Sequence, residues 1–183
     1  MRPDYIFSIF ALGILANSAL AEVTDVAANG FSLTHEVTIN AARADVWVAA
    51  VDHVGQWWDG EHTIAGSAAA LSIDAVPLGC FCEDLGDKGG VVHMTITFAN
   101  ANVILRLTGG LGPMGLMGVS GNMTWEFFDA DAATRVRFSY VVGGYSPDGL
   151  DNIATPVDVV IGEALQRLKS YVETGSADMA NGD

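Results

Sequence analysis

The feature that most constrains this chain is a long stretch of helical periodicity near its end, from Leu150 to Val172. Apolar residues recur there at three- and four-residue steps with charged residues between them, which is the pattern of a helix with one broad apolar face. At about 1.5 Å per residue, such a helix would extend roughly 35 Å, the width of a small domain. A helix of that length needs a large apolar surface to pack against, and the rest of the chain must supply it.

Pro156 lies inside this periodic stretch and leaves two interpretations open. The helix could begin there, with Thr155 as its N-cap, because proline is well tolerated in the first helical turn. It could instead run through Pro156 with a kink, because a proline inside a helix removes one backbone donor. The apolar stripe continues upstream through Ile153, so we predict the kinked, continuous helix. Gly175 predicts a helix end with a left-handed glycine.

The first 21 residues have the three-part composition of a secretory signal peptide. Arg2 precedes an apolar run from Tyr5 to Leu15, and Ala19-Leu20-Ala21 resembles an A-x-A cleavage site. A membrane anchor is disfavoured because the apolar run is too short to span a bilayer and no basic flank follows it. We expect cleavage after Ala21, a single domain over residues 22–175 and a disordered tail over 176–183. The mature protein would be periplasmic or secreted, with no stable membrane anchor.

The acidic composition restricts the partners of the chain. Eight Lys and Arg residues stand against 22 Asp and Glu residues, for a net charge of -14. Such a surface repels phosphate backbones and anionic lipid headgroups, so nucleic-acid binding is not expected. An acidic surface could also meet a basic protein partner, although the sequence identifies none.

Patterns in the middle of the chain predict a sheet and two short helices. Phe31 to Ile39 alternates as a half-buried strand does, a helix follows from Ala41, and a second helical turn contains Trp57 and Trp58. We expect one of these tryptophans to point inward and the other to cover an opening. The other predicted strands are 62–65, 70–76, 79–85, 91–99, 103–107, 119–128 and 134–143, with a flexible, apolar, glycine-rich flap over 109–118. The economical packing is an α+β fold: a curved antiparallel β-sheet wrapped around the long C-terminal helix, with two short helices after the first strand.

Several short segments carry a resemblance to a known family. They are Val37–Trp47, Trp57-Trp58 followed by His62-Thr63, Gly79–Glu83, His93-Met94, Gly110–Pro113 and the strand Thr134–Tyr140. In this order they resemble the helix-grip fold of the START and Bet v 1-like superfamily, also called SRPBCC, in its polyketide cyclase-like and Hsp90-ATPase-activator-like branches. The resemblance implies a hydrophobic cavity between sheet and long helix that takes lipids, polyketides or aromatic metabolites. It implies no shared set of catalytic residues, and the export signal argues against a cytosolic Hsp90-activating role.

Cys80 and Cys82, the two cysteines of the chain, would share one face of a strand. In an oxidising compartment such a pair favours a disulfide. Residues two apart on an extended strand have Cα atoms roughly 6 to 7 Å apart, near the upper limit for a bridge, so a disulfide would require a bulge or strain. Free thiols, or thiols that bind a metal, are the alternatives.

Glu83 and His93 could carry acid–base chemistry. If residues 87–89 form a three-residue hairpin loop, Glu83 and His93 lie opposite each other on one face, where the carboxylate could orient the imidazole. An ordinary structural pair across two strands is the alternative. A one-residue shift would place Met94 opposite Glu83. That register has support from the apolar alternation of Val92, Met94, Ile96 and Phe98.

Other chemistry finds little support in the sequence. A metal site built from His62, Cys82, Glu83 and His93 would lack any standard ligand spacing, so we predict no metal and no cofactor. No Gly-x-Ser-x-Gly elbow occurs, and the glycine run over 109–118 lacks the lysine of a phosphate-binding loop.

We therefore predict an exported binding protein that holds a small hydrophobic or amphipathic ligand between the sheet and the C-terminal helix. The candidate ligand-binding residues are Trp57, Trp58, Phe81, Glu83, His93, Met114, Met117, Trp125 and Tyr140. The alternative is a cyclase or lyase that uses Glu83 and His93 as acid and base on a bound aromatic or polyketide-like substrate.

Overall fold

The computed structural model describes residues 21–178. The predicted signal peptide, apart from Ala21, lies outside the described residues, and so do residues 179–183 of the predicted tail. Within the described part of the chain, no helix is both long enough and apolar enough to cross a membrane.

Eight strands form one antiparallel sheet. They are β1 (Ala21–Ala27), β2 (Gly30–Ile39), β3 (Leu71–Ile73), β4 (Cys80–Gly86), β5 (Gly89–Asn100), β6 (Ile104–Gly109), β7 (Gly118–Ala130) and β8 (Ala133–Tyr145). Their order across the sheet is β1-β2-β8-β7-β6-β5-β4-β3. Each strand from β3 to β7 therefore pairs with the next strand in the sequence, which makes a meander. Strand β2 extends the sheet beyond β8 by pairing with it.

Three α-helices accompany the sheet: α1 (Arg43–Asp52), α2 (Val54–Trp57) and α3 (Asp151–Thr174). The sheet curves around α3, whose buried residues include Ala154, Ile161, Leu165 and Leu168. The predicted α+β, helix-grip architecture is confirmed. Strand β1, which precedes the strand predicted as the first, was not foreseen because its side chains from Thr24 to Ala27 are exposed and do not alternate in polarity.

The strand predicted over residues 62–65 does not exist. Residues Gly60–His62 form a turn of 3₁₀ helix, and bends follow it. The backbone N–H of Ala65 donates to the carboxylate of Glu83 rather than to a neighbouring strand. The carboxylate of Glu83 thus accepts the hydrogen bond that Ala65 would have given to a neighbouring strand if residues 62–65 formed the predicted strand.

Helix α3 runs without interruption through Pro156 and ends at Gly175, whose φ of 80° is left-handed. The alternative in which the helix begins at Pro156 is therefore wrong, and the glycine end is confirmed. Beyond the helix, Ser176 to Asp178 fold back against it: Ala177 is buried, and the Ser170 hydroxyl donates to the Asp178 carbonyl.

The polar contacts that fix α3 to the rest of the fold include one to a buried histidine and two to backbone carbonyls. The buried His35 of β2 lies 2.7 Å from the Asp158 carboxylate through Nε2. Arg167 donates from Nε to the carbonyl of Trp57 at 2.9 Å. Lys169 donates to the carbonyl of Thr38. Together they tie the helix to the sheet at one side and to α2 at the other.

Both adjacent tryptophans are buried, which corrects the expectation that one of them covers an opening from a helix. Helix α2 ends at Trp57, and Trp58 has extended backbone angles (φ -63°, ψ 154°). The change of backbone conformation lets both rings turn inward, with centroids 5.5 Å apart. Trp57 packs on toward Trp125, which stacks on Phe138 at 4.4 Å.

Gly162 permits the close approach of α3 to His35. A Cβ at this position would lie 2.7 Å from Cε1 of the imidazole. We expect Gly162→Ala to lower the free energy of unfolding by about 1–3 kcal/mol through overpacking, although alanine has the higher helix propensity. In a His35→Ala background the same change should instead raise it, by about 1 kcal/mol. Urea unfolding of the four proteins measures both effects, and equal effects in the two backgrounds would contradict this contact.

Candidate ligand-binding cavity

A cavity of about 610 Å³ lies between the sheet and the first half of α3. It is within the size range of small-molecule sites. Its walls come from the loop after α2, strands β3 to β5, the flap and α3. The lining residues are Trp58, Glu61, His62, Thr63, Ile64, Leu71, Phe81, Val91, Val92, His93, Gly110–Leu116, Pro156, Val157, Val160 and Ile161. Most of these side chains are apolar, so the cavity suits a hydrophobic molecule.

The flap that follows β6 is attached to the core at its root. The Tyr140 hydroxyl donates to the Gly109 carbonyl and accepts from the Leu111 N–H, both at 3.2 Å. A 3₁₀ turn over Gly112–Leu116 then buries Met114 in the core. The predicted apolar flap therefore exists as an ordered segment that forms one wall of the cavity.

Exposed apolar side chains surround the cavity. Ile64 is 60% exposed, Val92 63% and Leu116 95%. They come from three separate segments, the loop after α2, strand β5 and the flap, yet all three line the cavity. Exposed apolar side chains gathered around a pocket are typical of a site that receives an apolar molecule.

The hairpin between β4 and β5 does not have the predicted three-residue loop. It turns at Asp87 and Lys88, both with positive φ (47° and 68°). As a result Glu83 pairs with Val91, and neither predicted register, with His93 or with Met94 opposite Glu83, is correct.

A β-bulge nevertheless brings His93 to the carboxylate. The pairing moves from Phe81 opposite Met94 to Cys82 opposite Val92, so His93 is an extra residue on β5. Regular alternation would bury only one of two neighbours, but the bulge buries both His93 and Met94 and leaves Val92 exposed. The predicted proximity of Glu83 and His93 is confirmed through a geometry that the sequence did not indicate.

Glu83 is a buried carboxylate with several hydrogen-bond donors. Its Oε2 lies 2.8 Å from Nε2 of His93, and its Oε1 accepts from the Ala65 N–H. Burial alone would raise the pKa of Glu83, but the hydrogen bonds from Ala65, His93 and Ile64 outweigh that effect and lower the pKa. Glu83 is therefore ionised at neutral pH, and Nε2 of His93 carries the proton that they share.

The second ring nitrogen of His93, Nδ1, takes no part in the contact with Glu83. Nδ1 is buried and has no hydrogen-bond partner among residues 21–178, and the imidazole is part of the cavity wall. Nε1 of Trp125, in the adjacent core, is likewise buried without a partner, and each such group costs about 1–3 kcal/mol. The pair thus offers the cavity a single acid–base group, His93, with Glu83 as the residue that positions it.

A disulfide joins Cys80 and Cys82, whose Cα atoms are 5.4 Å apart. Two strand residues at this spacing would normally be about 6.6 Å apart, so the bridge shortens β4 beside Phe81. The bulge at His93 lies directly opposite this segment, between the pairs Phe81–Met94 and Cys82–Val92. Of the three states left open by the sequence, the structure has the bridge.

The predicted ligand-binding residues divide into two groups. Trp58, Phe81, His93 and Met114 line the cavity. Trp57, Trp125 and Tyr140 are buried in the adjacent core, Glu83 lies behind His93, and half-buried Met117 follows the turn of the flap. Large aromatic residues were the signal for the prediction, and most of them fill the core instead.

Smaller lining residues were missed by the sequence analysis. Leu71, Val91, Pro156, Val157 and Val160 face the cavity. Val157 and Val160 belong to the apolar face of α3. Its periodicity predicted that they point inward but could not predict that a cavity lies beside them. Among the described residues, no three His, Cys, Asp or Glu side chains come together to hold a metal.

The architecture and its cavity define a helix-grip protein. No protein-family model matches the sequence, and no curated protein matches it. Solved structures share the fold: EF2215, a conserved protein of unknown function from Enterococcus faecalis, is 19% identical, with 91% of this chain and 83% of that chain covered and a TM-score of 0.59. The Aha1 dimer from Colwellia psychrerythraea is 18% identical, with 79% and 97% covered and a TM-score of 0.56. DynU16, a protein of the dynemicin biosynthetic locus, is 18% identical, with 80% and 48% covered and a TM-score of 0.55.

The disulfide should control the position of His93. We expect the double substitution Cys80→Ser and Cys82→Ser to lower the free energy of unfolding by about 1–2 kcal/mol, since the closed loop is short. Because β4 could then extend, backbone amide NMR shifts should change most at residues 91–95 on β5. Ser72→Ala, at the position paired with Cys82, is the matched control. Changes confined to residues 80–82 would show that the bridge does not set the bulge.

Glu83 should stabilise the fold only in its ionised form. Because its pKa is lowered by folding, its contribution is complete above the ordinary Glu value of 4.5 and is lost as the pH falls through the lower folded value. Glu83→Gln should therefore cost about 1–3 kcal/mol at pH 7, with the difference from the parent shrinking in acid. Urea unfolding across this range, with the exposed Glu61→Gln as control, measures the difference. A cost that does not change with pH would contradict it.

Proposed function

We propose that this chain is an exported binding protein that holds a small hydrophobic or amphipathic molecule in the cavity beside α3. The observation that carries the proposal is the combination of a ligand-sized, mostly apolar cavity and exposed apolar residues around it. Sites for small molecules usually have this composition.

Export is part of the proposal. It is supported by the signal-like composition of the first 21 residues. The disulfide between the two cysteines of the chain is a second support, because disulfides persist in oxidising compartments. Mass spectrometry of protein isolated from the cell envelope tests this proposal, because it identifies the first residue of the mature chain.

A second candidate is an enzyme of the cyclase or lyase kind. The observation that favours it is the Glu83–His93 pair, in which an ionised carboxylate holds an imidazole in the cavity wall. The structure changes the roles assigned from sequence: Glu83 is a positioning residue, and His93 would take or give the proton on the substrate. The origin of one structural neighbour in a biosynthetic locus is compatible with either candidate.

Binding should depend on the open volume of the cavity. Val160 lines it, whereas the next residue, Val159, is 50% exposed and does not. We expect Val160→Trp to weaken binding of the neutral dye N-phenyl-1-naphthylamine by about tenfold or more, a change of about 1.4 kcal/mol. Val159→Trp adds the same ring outside the cavity and should leave the affinity unchanged.

Native mass spectrometry of protein purified from its own source completes this test. A discrete mass that is lost on denaturation, and that is absent from Val160→Trp, would support a bound ligand. Recovery of that molecule unchanged after incubation favours the binding protein, and a chemically altered molecule favours the enzyme. Equal dye affinities in the two tryptophan variants would contradict binding in this cavity.

A further inference from the structure

The disulfide between Cys80 and Cys82 lies outside the cavity lining. Both cysteines are half-buried, whereas Phe81 between them and Glu83 after them are buried. Successive residues of a strand point to opposite faces of the sheet, and Phe81 points into the cavity. The bridge is therefore on the outer face of the sheet, where it is partly exposed.

The residues paired with the two cysteines have short side chains. Ser72 of the edge strand β3 pairs with Cys82 and is exposed. Val92 pairs with Cys82 from the other side and is 63% exposed, and Thr95 pairs with Cys80. No long side chain from a paired position covers the bridge, so a thiol in solution can approach it while the sheet stays intact.

The bridge contributes little to the stability of the fold. A disulfide stabilises mainly by closing a loop in the unfolded chain, and the gain grows with the length of that loop. Here the bonded residues are only two apart in sequence. The described chain also has a large hydrophobic core, unlike the small secreted domains that depend on disulfides. These facts favour a chemical role for the bridge over a stabilising one.

The strand permits the bridge to open and close. Its Cα atoms are 5.4 Å apart, compared with roughly 6.6 Å for such positions on an extended strand. Both distances lie in the range of about 4.4 to 6.8 Å over which disulfides form. Reduction would therefore let β4 return to regular spacing without carrying the two sulfur atoms out of reach of each other.

The surroundings of β4 hold the two cysteines together after reduction. Phe81, between them, is 1% exposed and packs against Trp58 with ring centroids 5.4 Å apart. Strands β3 and β5 flank β4 on its two sides, and the Asp74 N–H donates to the Cys80 carbonyl at 2.9 Å. Two thiols fixed in this way re-form their bond in an intramolecular step, which has a high effective concentration.

We propose that Cys80 and Cys82 form a redox-active pair that exchanges with a dithiol. A thiolate of the dithiol attacks one bridge sulfur, the Sγ–Sγ bond breaks, and the displaced cysteine thiolate takes up a proton. The second thiolate of the dithiol then attacks the mixed disulfide and releases the other cysteine as a thiol. The dithiol becomes a disulfide, and the protein gains two electrons and two protons. This activity does not depend on a ligand in the cavity.

An equilibrium with thioredoxin, a protein dithiol, tests the proposal. The oxidised mature chain is mixed with an equimolar amount of reduced thioredoxin without denaturant, quenched with acid and alkylated, and the reduced fraction is measured by mass spectrometry. A structural disulfide is at least about tenfold harder to reduce than thioredoxin, which limits this fraction to about a quarter. We expect about half or more. A fraction at or below the limit, reached also from reduced chain and oxidised thioredoxin, would overturn the proposal.

Dithiothreitol, a small dithiol, tests access to the bridge. We expect it to reduce the folded chain at a rate within about tenfold of the rate in urea, where the bridge is fully exposed. A chain that resists dithiothreitol until urea is added would overturn the proposal. Reduction at the expected rate, without equilibration with thioredoxin, would assign the activity to small dithiols, and equilibration with both would extend it to proteins.

Variants assign the exchange to this pair. The double substitution Cys80→Ser and Cys82→Ser should leave thioredoxin fully reduced. Each single substitution keeps one thiol without its partner, and at least one of the two should form a stable mixed disulfide with oxidised glutathione. Absence of this adduct from both folded single variants would overturn the proposal. If the single variants do not fold, the measurements with thioredoxin and dithiothreitol on the parent protein still decide.

Discussion

The contact between α3 and the concave face of the sheet is the constraint on which the rest of the structure depends. A 24-residue helix can bury its apolar face only against a surface that follows its whole length, so the eight-stranded sheet must curve around it. Near α1 the space between the layers is filled by large side chains such as Trp47 and Phe127, whose rings are 5.2 Å apart. Beside the first half of α3 the helix presents Val157 and Val160. These short side chains do not reach the opposite wall, and a cavity remains.

The chemistry of that cavity arises from a local departure from regular strand geometry. The bulge on β5 admits His93 as an extra residue, and it lies directly opposite the disulfide-bridged segment of β4. A regular hairpin would have turned either His93 or Met94 away from the interior. The bulge thus determines which side chain of β5 reaches Glu83. Bulges are often found beside functional sites for this reason, because they redirect a side chain without changing the sheet.

The sequence predicted those features that depend on periodicity alone. The helix expected over 150–172 occupies Asp151–Thr174, and the order of strands from β2 to β8 follows the expected pattern, apart from the missing strand at 62–65. Features that depend on pairing between strands were not predictable. The register of β4 and β5 was wrong because it follows from a two-residue turn and a bulge, and the cysteine state could not be decided without that bulge. The cavity wall was predicted in part, since an apolar pattern shows that Val160 is turned inward but not whether it meets a side chain or a void.

The aromatic residues connect the core to the cavity and explain how the site can be rigid. Trp125 stacks on Phe138 and contacts Trp57, which contacts Trp58, which contacts Phe81, which in turn contacts His93. The first members of this row are fully buried and the last three line the cavity. Trp57 is further fixed by a hydrogen bond from its Nε1 to the Ala49 carbonyl of α1. Because the aromatic wall rests on close-packed core residues, it loses little conformational entropy when a ligand arrives. The aromatic wall of the cavity is therefore the outer end of a row of rings that begins in the core and ends at the imidazole of His93.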